Sequence, residues 1–389
     1  MLELLLPTLL GVSAGVITGL IPGVHVNLLA TLALAAGVGA GGAPFLVALS
    51  ITHSFLSTIP AILLGAPESA TALGVLPGHR YVLKGLGYMA IKLTLIGSYL
   101  GLLVAILLLP VWWQAIRLYP YLVDVMGYLL LAVSAYMILR DNKRFWALVV
   151  YLLSGALGWI LLNQAITTDP LFPLLTGLFG VSTLIYSLTQ TSSLPPQKIQ
   201  SDIQLRTSDA TKAVLAGNAS GFLTSMLPGL GAAQAAVLGM NLTGRIGDHG
   251  FLVMIGTIST VNFSLSLLTW LALDKARNGA VVAITQLLQP SFGVVVTLGL
   301  VALVAASLAV PLCLLLARSS VQLLTTIPYH QLSLAVITLL VLLVATITGV
   351  RGLLVLVVAT AVGLIPAIAR CGRAHAMGCL MLPVAFYFF

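Results

Sequence analysis

The sequence predicts an all-α, polytopic membrane protein of two inverted-topology repeats, each with a re-entrant or broken helix at a Pro-Gly tip. Three observations carry this. Of the 389 residues, 60% are hydrophobic and only 7% charged, against about 25% charged in soluble domains. A stretch near the start, Gly15-Val-Ile-Thr18-Gly19-Leu-Ile-Pro22-Gly23-Val-His25-Val-Asn27, returns without a gap as Gly221-Phe-Leu-Thr224-Ser-Met-Leu-Pro228-Gly229-Leu. The basic residues also change loops between the two halves, as membrane loops of opposite orientation would require.

The first repeat spans residues 1–190. Leu4–Leu20 and Val24–Val38 are apolar arms around Ile21-Pro22-Gly23. Each is shorter than the ~20 residues that cross a bilayer, so the pair reads as a re-entrant hairpin, with two tilted spans as the alternative. Phe45–Leu64 is a span with a polar face (Ser50, Thr52, His53, Ser54, Ser57, Thr58), ending in a second break at Pro60 and Gly65-Ala-Pro67-Glu68-Ser69-Ala-Thr71. Tyr88–Leu109 spans next. Trp112, Trp113, Arg117, Tyr119, Pro120 and Tyr121 read as an interfacial loop, since Trp and Tyr favour the headgroup level. Leu122–Leu139, the basic loop Arg140-Asp-Asn-Lys143-Arg144, Phe145–Leu162 and Leu171–Leu188 complete this half.

Residues 191–212 form a linker with Pro195-Pro196 and mixed charges, and 213–389 repeat the plan. A shift of 206 positions takes Gly15 to Gly221 and Phe45-Leu46-Val47 to Phe251-Leu252-Val253, and sets His53 opposite Ser259 and Glu68 opposite Asp274. Later spans are Phe292–Leu316, Leu332–Ile347, Leu353–Ala369 and Met377–Phe389. In the first half the cations gather at Arg140–Arg144 and the loop 163–170 has none. In the second, Arg351 stands alone where that cluster was and Arg370 and Arg373 take the place of the uncharged loop. The positive-inside bias then puts the linker in the cytoplasm and both termini outside a multi-pass cytoplasmic membrane protein.

Composition also excludes function classes. The formal charge of +8 is scattered between apolar segments with no aromatic-interleaved basic stripe, so no nucleic-acid partner is expected. Cys313, Cys371 and Cys379 lack CxxC spacing, which argues against disulfide or metal roles. No HExxH, GxSxG or paired carboxylates at ligand spacing occur, so the chain does not read as an enzyme. No positive n-region precedes Leu4, so Leu4–Leu20 reads as mature sequence rather than a signal peptide.

Paired broken helices in inverted repeats point to a transporter site. A half-helix start offers unpaired N–H groups and the positive end of its dipole to an anion, and glycine lets backbone approach a ligand. The candidate substrate site is therefore Pro22, Gly23, His25 and Asn27 with Pro228, Gly229, Gly231 and Gln234. Helix kinks used for packing are the competing reading. From the polar faces, most Ser and Thr read as interhelical glue, while His53, Ser54 and Asn262 join the candidates. Glu68, with Ser69 and Thr71, is the candidate coupling-ion site, because an intramembrane carboxylate costs about 2.5–3.5 kcal/mol and is retained for use. No cofactor is expected beyond Na+ or H+ as coupling ion.

At Gly15, Gly19, Pro22 and Gly23, and again at Gly65, Pro67, Ser69, Ala70, Thr71, Gly78, Gly85 and Ala90, the sequence resembles the large permease subunit of tripartite tricarboxylate transporters, the TctA family. It departs in Glu68 after Pro67 and in His25 beside the tip, and its length is similar to that of stand-alone prokaryotic, especially archaeal, relatives. The resemblance implies ion-gradient-driven transport of an organic anion such as a di- or tricarboxylate. The small membrane subunit and the extracytoplasmic binding protein of the full system, and a homodimer, are left open. A polyprenyl-phosphate translocase is the alternative cargo on the same fold, and an intramembrane enzyme is a third reading.

Overall fold

The computed structural model describes all residues except 1, 22–25, 36, 65–74, 165, 168–169, 190–194, 200–202, 204, 228–230, 245, 277 and 325–327. Among these the chain is helical, with no strand. It opens with α1 (Leu2–Leu20), α2 (Val26–Ala35), α3 (Gly42–Leu56) and α4 (Thr58–Leu63). Next come α5 (Val75–Leu83), α6 (Gly87–Leu107), α7 (Leu109–Ile116) and α8 (Tyr119–Val123). Then α9 (Met126–Arg140), α10 (Arg144–Asn163) and α11 (Leu171–Leu175) lead through a π turn into α12 (Ser182–Leu188). After the linker follow α13 (Thr207–Met226), α14 (Ala232–Thr243), α15 (Gly247–Leu273) and α16 (Gly279–Thr285). The chain closes with α17 (Phe292–Leu324), α18 (Tyr329–Ala369) and α19 (Gly378–Tyr387). Among the described residues seven helical segments are long and apolar enough to cross a membrane, including Glu3–Leu20, Gly42–Leu63 and Gly247–Leu273.

Local chemistry sets the helix ends. Leu227 is extended (φ −95°, ψ 119°), as the residue before a proline is driven to be, and this stops α13. The break expected at Pro60 instead falls at Ser57, and Pro60 sits in the first turn of α4, where a missing N–H costs no hydrogen bond. The expected spans Leu332–Ile347 and Leu353–Ala369 run end to end as α18, parted at Gly349 with φ 67° and ψ −165°, a conformation essentially reserved for glycine. Trp112–Tyr121, read as a loop, folds largely as α7 and α8, with Trp112 stacked on Phe222 at 4.8 Å.

Glycine contacts fix how the helices run. A Cβ on Gly11, Gly15 or Gly19 would meet Ala48, Thr52 or Leu56 within 2.8 Å, so α1 and α3 lie parallel and in register. Because they are parallel, the chain returns between Leu20 and Gly42 to the side where it started, as both the hairpin and the two tilted spans require. In α13, Gly217 packs on Thr257 and Gly221 on Val261, so α13 and α15 are parallel too. Gly15, Gly19 and Gly221 of the duplicated stretch thus serve close helix packing.

One end of the molecule is marked by the linker. Lys198 N donates to the Gly85 carbonyl (2.8 Å) and Gly87 N to Gln197 Oε1 (3.0 Å), while Gly87 also faces Leu63. Hence α4 ends, α6 begins and α13 begins at this linker end. The loop after α18 lies at that end as well, since Arg373 donates to Thr183 in α12, the helix that runs into the linker. At the other end Phe389 meets Tyr128 at 4.9 Å and Lys275 Nζ reaches Tyr119 Oη at 3.5 Å.

The two halves interlock. Helix α6 packs on α15 and α17 on α3, helices that correspond under the shift of 206 positions. Helices α6 and α17 run opposite ways, since Tyr88 Oη reaches Leu314 O (3.5 Å) and Tyr99 Oη reaches Ser307 Oγ (3.3 Å). The shift also takes α1 to 208–226 and α2 to 232–241, against α13 and α14 as observed. A buried seam holds the crossing of α6 with α15, where Thr257 Oγ1 donates to Gly97 O (2.9 Å) and Ser98 Oγ to Gly256 O (3.2 Å), and Asn218 Nδ2 of α13 adds a bond to Gly101 O (3.3 Å).

Candidate functional site

Both helix breaks are recessed within the bundle. Gly19 packs beside Leu56 and Ser57, so α1 ends six residues, or about 9 Å at 1.5 Å per residue, short of Leu63. Five residues on from the contact of Gly221 with Val261, Met226 is level with Ser266. It therefore stops about 10 Å short of Leu273. The next helices start at buried residues, Val26 of α2 being 5% exposed and Ala232 of α14 8%, while Ile21 just after α1 is 39% exposed. Gly231 caps α14 in an extended conformation (φ −79°, ψ 166°).

His53 lies at the middle of the Gly42–Leu63 span. It is 4% exposed, and its Nδ1 is 3.0 Å from Thr18 Oγ1. The Thr18 hydroxyl is 3.3 Å from the Gly15 carbonyl. Which of His53 Nδ1 and Thr18 Oγ1 donates follows from the tautomer of the ring. A polar pair thus ties α1, one turn before its break, to the centre of α3. Thr52 Oγ1 beside it is buried without a hydrogen-bond partner. In the second half, among the described residues, Thr224 bonds its own helix, through Gly221 O at 2.8 Å, and Ser259 bonds Ile255 O at 3.2 Å. An imidazole on α3 thus stands where the corresponding position of α15 carries a serine.

The other expected residues divide. Ser54 is half-buried and donates to Ile51 O at 2.8 Å, the helix-satisfying role of interhelical serines. Asn262 is half-buried on α15, where its backbone carbonyl accepts from Ser266 Oγ at 2.7 Å. Asn27 and Gln234 stand in the first turns of α2 and α14, with side chains outside the description. Pro22, Gly23, His25, Pro228, Gly229, Glu68, Ser69 and Thr71 lie outside the described residues. Thr18 was overlooked in sequence, although it belongs to the duplicated stretch and falls one helical turn after Gly15.

A second polar joint was also overlooked. Asp141, between α9 and α10, accepts from Lys143 N (2.7 Å), Gly372 N (2.8 Å) and His375 Nε2 (2.9 Å). Burial raises the pKa of Asp141, but the Lys143 and Gly372 amides and the His375 ring outweigh it and hold the carboxyl below its usual range. This joint binds the basic loop of the first half to the Arg370–Arg373 loop of the second.

A profile of the tripartite tricarboxylate transporter TctA family matches residues 5–378. The chain belongs to that family. As a TctA-family protein it is a multi-pass membrane protein of a transporter family. An uncharacterized protein of Methanocaldococcus jannaschii is 29% identical over 400 residues, covering 99% of this chain and 98% of that protein. This TctA-family chain matches no solved structure significantly.

Proposed function

We propose that this protein is a secondary active permease that carries an organic anion such as a di- or tricarboxylate, driven by an ion gradient. The observation that carries the reading is the pair of recessed breaks. There α1 and α13 stop short of the ends of the spans they pack on, and the starts of α2 and α14 that follow offer unpaired N–H groups and positive dipole ends to an anion. The anion is held between these two starts. The residues beyond the breaks, His25, Asn27, Gly231 and Gln234, shape selectivity, together with His53 and Asn262. The carbonyl ends of α1 and α13, with Glu68, Ser69 and Thr71, supply the coupling-ion side.

We further infer two repeats of opposite orientation, with the linker end in the cytoplasm. The opposed run of the corresponding helices α6 and α17 supports this, and so does the charge distribution. Arg80, Lys84, Arg140, Lys143, Lys198 and Arg373 all lie toward the linker end, whereas few cations face the termini. Cysteine substitution tests the orientation: K198C should label only from the cytoplasm and Y387C only from outside. Labelling of both from one side would remove it.

The transport reading is tested by uptake into proteoliposomes across a panel of carboxylates, with sodium and proton gradients imposed separately. Gradient-dependent accumulation of a carboxylate, lost in His53→Ala, is the expected result. Movement of a polyprenyl phosphate with no carboxylate uptake would replace this reading with the lipid-carrier one. No movement of either cargo would end both.

A further inference from the structure

We propose that the outer seam between α6 and α17 is a binding site for one anionic membrane phospholipid, separate from the substrate site. A groove of about 650 Å³ runs along this seam, lined by Lys92, Leu95, Ile96, Tyr99, Leu100, Ser307, Val310 and Leu314. Its walls are hydrocarbon apart from one cation and two hydroxyls, and the Tyr99 and Ser307 hydroxyls bond each other at 3.3 Å. None of the lining residues is acidic. The groove therefore presents a fixed positive charge above an apolar trough, with no carboxylate in its lining to neutralise it.

The position of the charge matches a headgroup. Lys92 is half-buried, five residues into α6, or about 8 Å from the linker end. Helical side chains lean toward the helix start, and the Lys92 stem does so, bringing Nζ over the Tyr88 ring at 4.8 Å from its centroid. A lysine in this setting buries its stem and raises its ammonium to the interface. From there the groove descends past Leu95 and Ile96 to Tyr99 and Leu100, about 12 Å along the helix. An acyl chain follows that trough while the phosphate meets Nζ, which free phosphate, having no chain, would not exploit. The Tyr88 hydroxyl, bonded to the Leu314 carbonyl, holds the two walls together under the headgroup. A lipid seated here touches both halves of the molecule at the pair of corresponding helices that run opposite ways.

The test uses the full chain purified in mild detergent, with dioleoyl phosphatidylglycerol or dioleoyl phosphatidylcholine added at equal concentration and retained lipid counted by native mass spectrometry. The protein should retain one phosphatidylglycerol in preference to phosphatidylcholine. K92M should cut that preference about fivefold, the effect of one lysine near an anionic surface, and K92R should restore it. Val310→Trp, which fills the trough, should lower retention of both lipids. Thermal unfolding of each variant shows that it is folded. Equal retention of the two lipids by the unaltered protein, or an unchanged preference in K92M, overturns the proposal. A lipid-free dimer whose seam is crosslinked between copies would overturn it in favour of a second chain as the occupant.

Discussion

Gly15→Ala tests whether the duplicated glycines hold α1 against α3 or leave room for a ligand. A Cβ at Gly15 would stand 2.6 Å from Thr52 Cβ, 2.8 Å from the Leu49 carbonyl oxygen and 3.1 Å from His53 N. Two of these are backbone atoms of a buried helix and cannot rotate away. Restoring the closest contact to 3.4 Å, the short limit of ordinary packing, moves the helices apart by about 0.8 Å. The 3.0 Å link between Thr18 and His53 would then stretch to about 3.8 Å, too long for a hydrogen bond. Overpacking of this kind costs about 1–3 kcal/mol, and the lost bond adds to it. The assay compares the thermal midpoint and substrate uptake of Gly15→Ala with those of Gly39→Ala, a position with nothing within 4 Å of the added carbon. Gly15→Ala should lower both midpoint and uptake, and Gly39→Ala neither. A Gly15→Ala protein as stable as its parent would refute the packing argument.

Three further outcomes follow from the same geometry. Thr18→Val should lower stability by about 1–3 kcal/mol, the cost of depriving a buried polar group of its partner, and should reduce uptake. Thr224→Val, which removes a bond to its own helix at Gly221, should cost less in denaturant titrations of the two. The depressed pKa of Asp141 makes its contribution fully present above the unfolded carboxylate value of about 3.9. That contribution is lost as pH falls through the lower folded value. Asp141→Asn should therefore reduce stability at neutral pH and flatten its decline in acid, and parallel pH profiles for the two proteins would count against the joint. Gly349→Ala should cost about 1–3 kcal/mol from backbone strain alone, since its φ is 67° and no atom lies within 4 Å of the new Cβ. Unfolding midpoints of Gly349→Ala against Gly299→Ala, an uncrowded glycine inside α17, would check it.

Membrane residence, the helical class and the sites where helices stop were legible in the residues because their causes are local. Apolar runs demand internally paired backbone, and a proline forces its predecessor out of helical geometry, as at Leu227. The shift of 206 positions was legible in Gly15, Thr18 and their partners, and the helix boundaries recur at that shift. The interruption tied to Pro60 shows at Ser57, one turn earlier, because a proline leaves the carbonyl four residues before it, that of Leu56, without its helical donor.

What the sequence by itself determined is which residues share a helix face and where each helix must break. Only the tertiary structure decided which faces meet, since helical periodicity says nothing about the helix opposite. That choice paired Thr18 with His53 across 35 residues and Asp141 with His375 across 234. It turned Gly11, Gly15 and Gly19 into contact points and left Lys92 facing an apolar seam. It also set the breaks of α1 and α13 inside the bundle. That depth comes from the register of α1 on α3 and of α13 on α15, a property of two surfaces packed together and of neither alone.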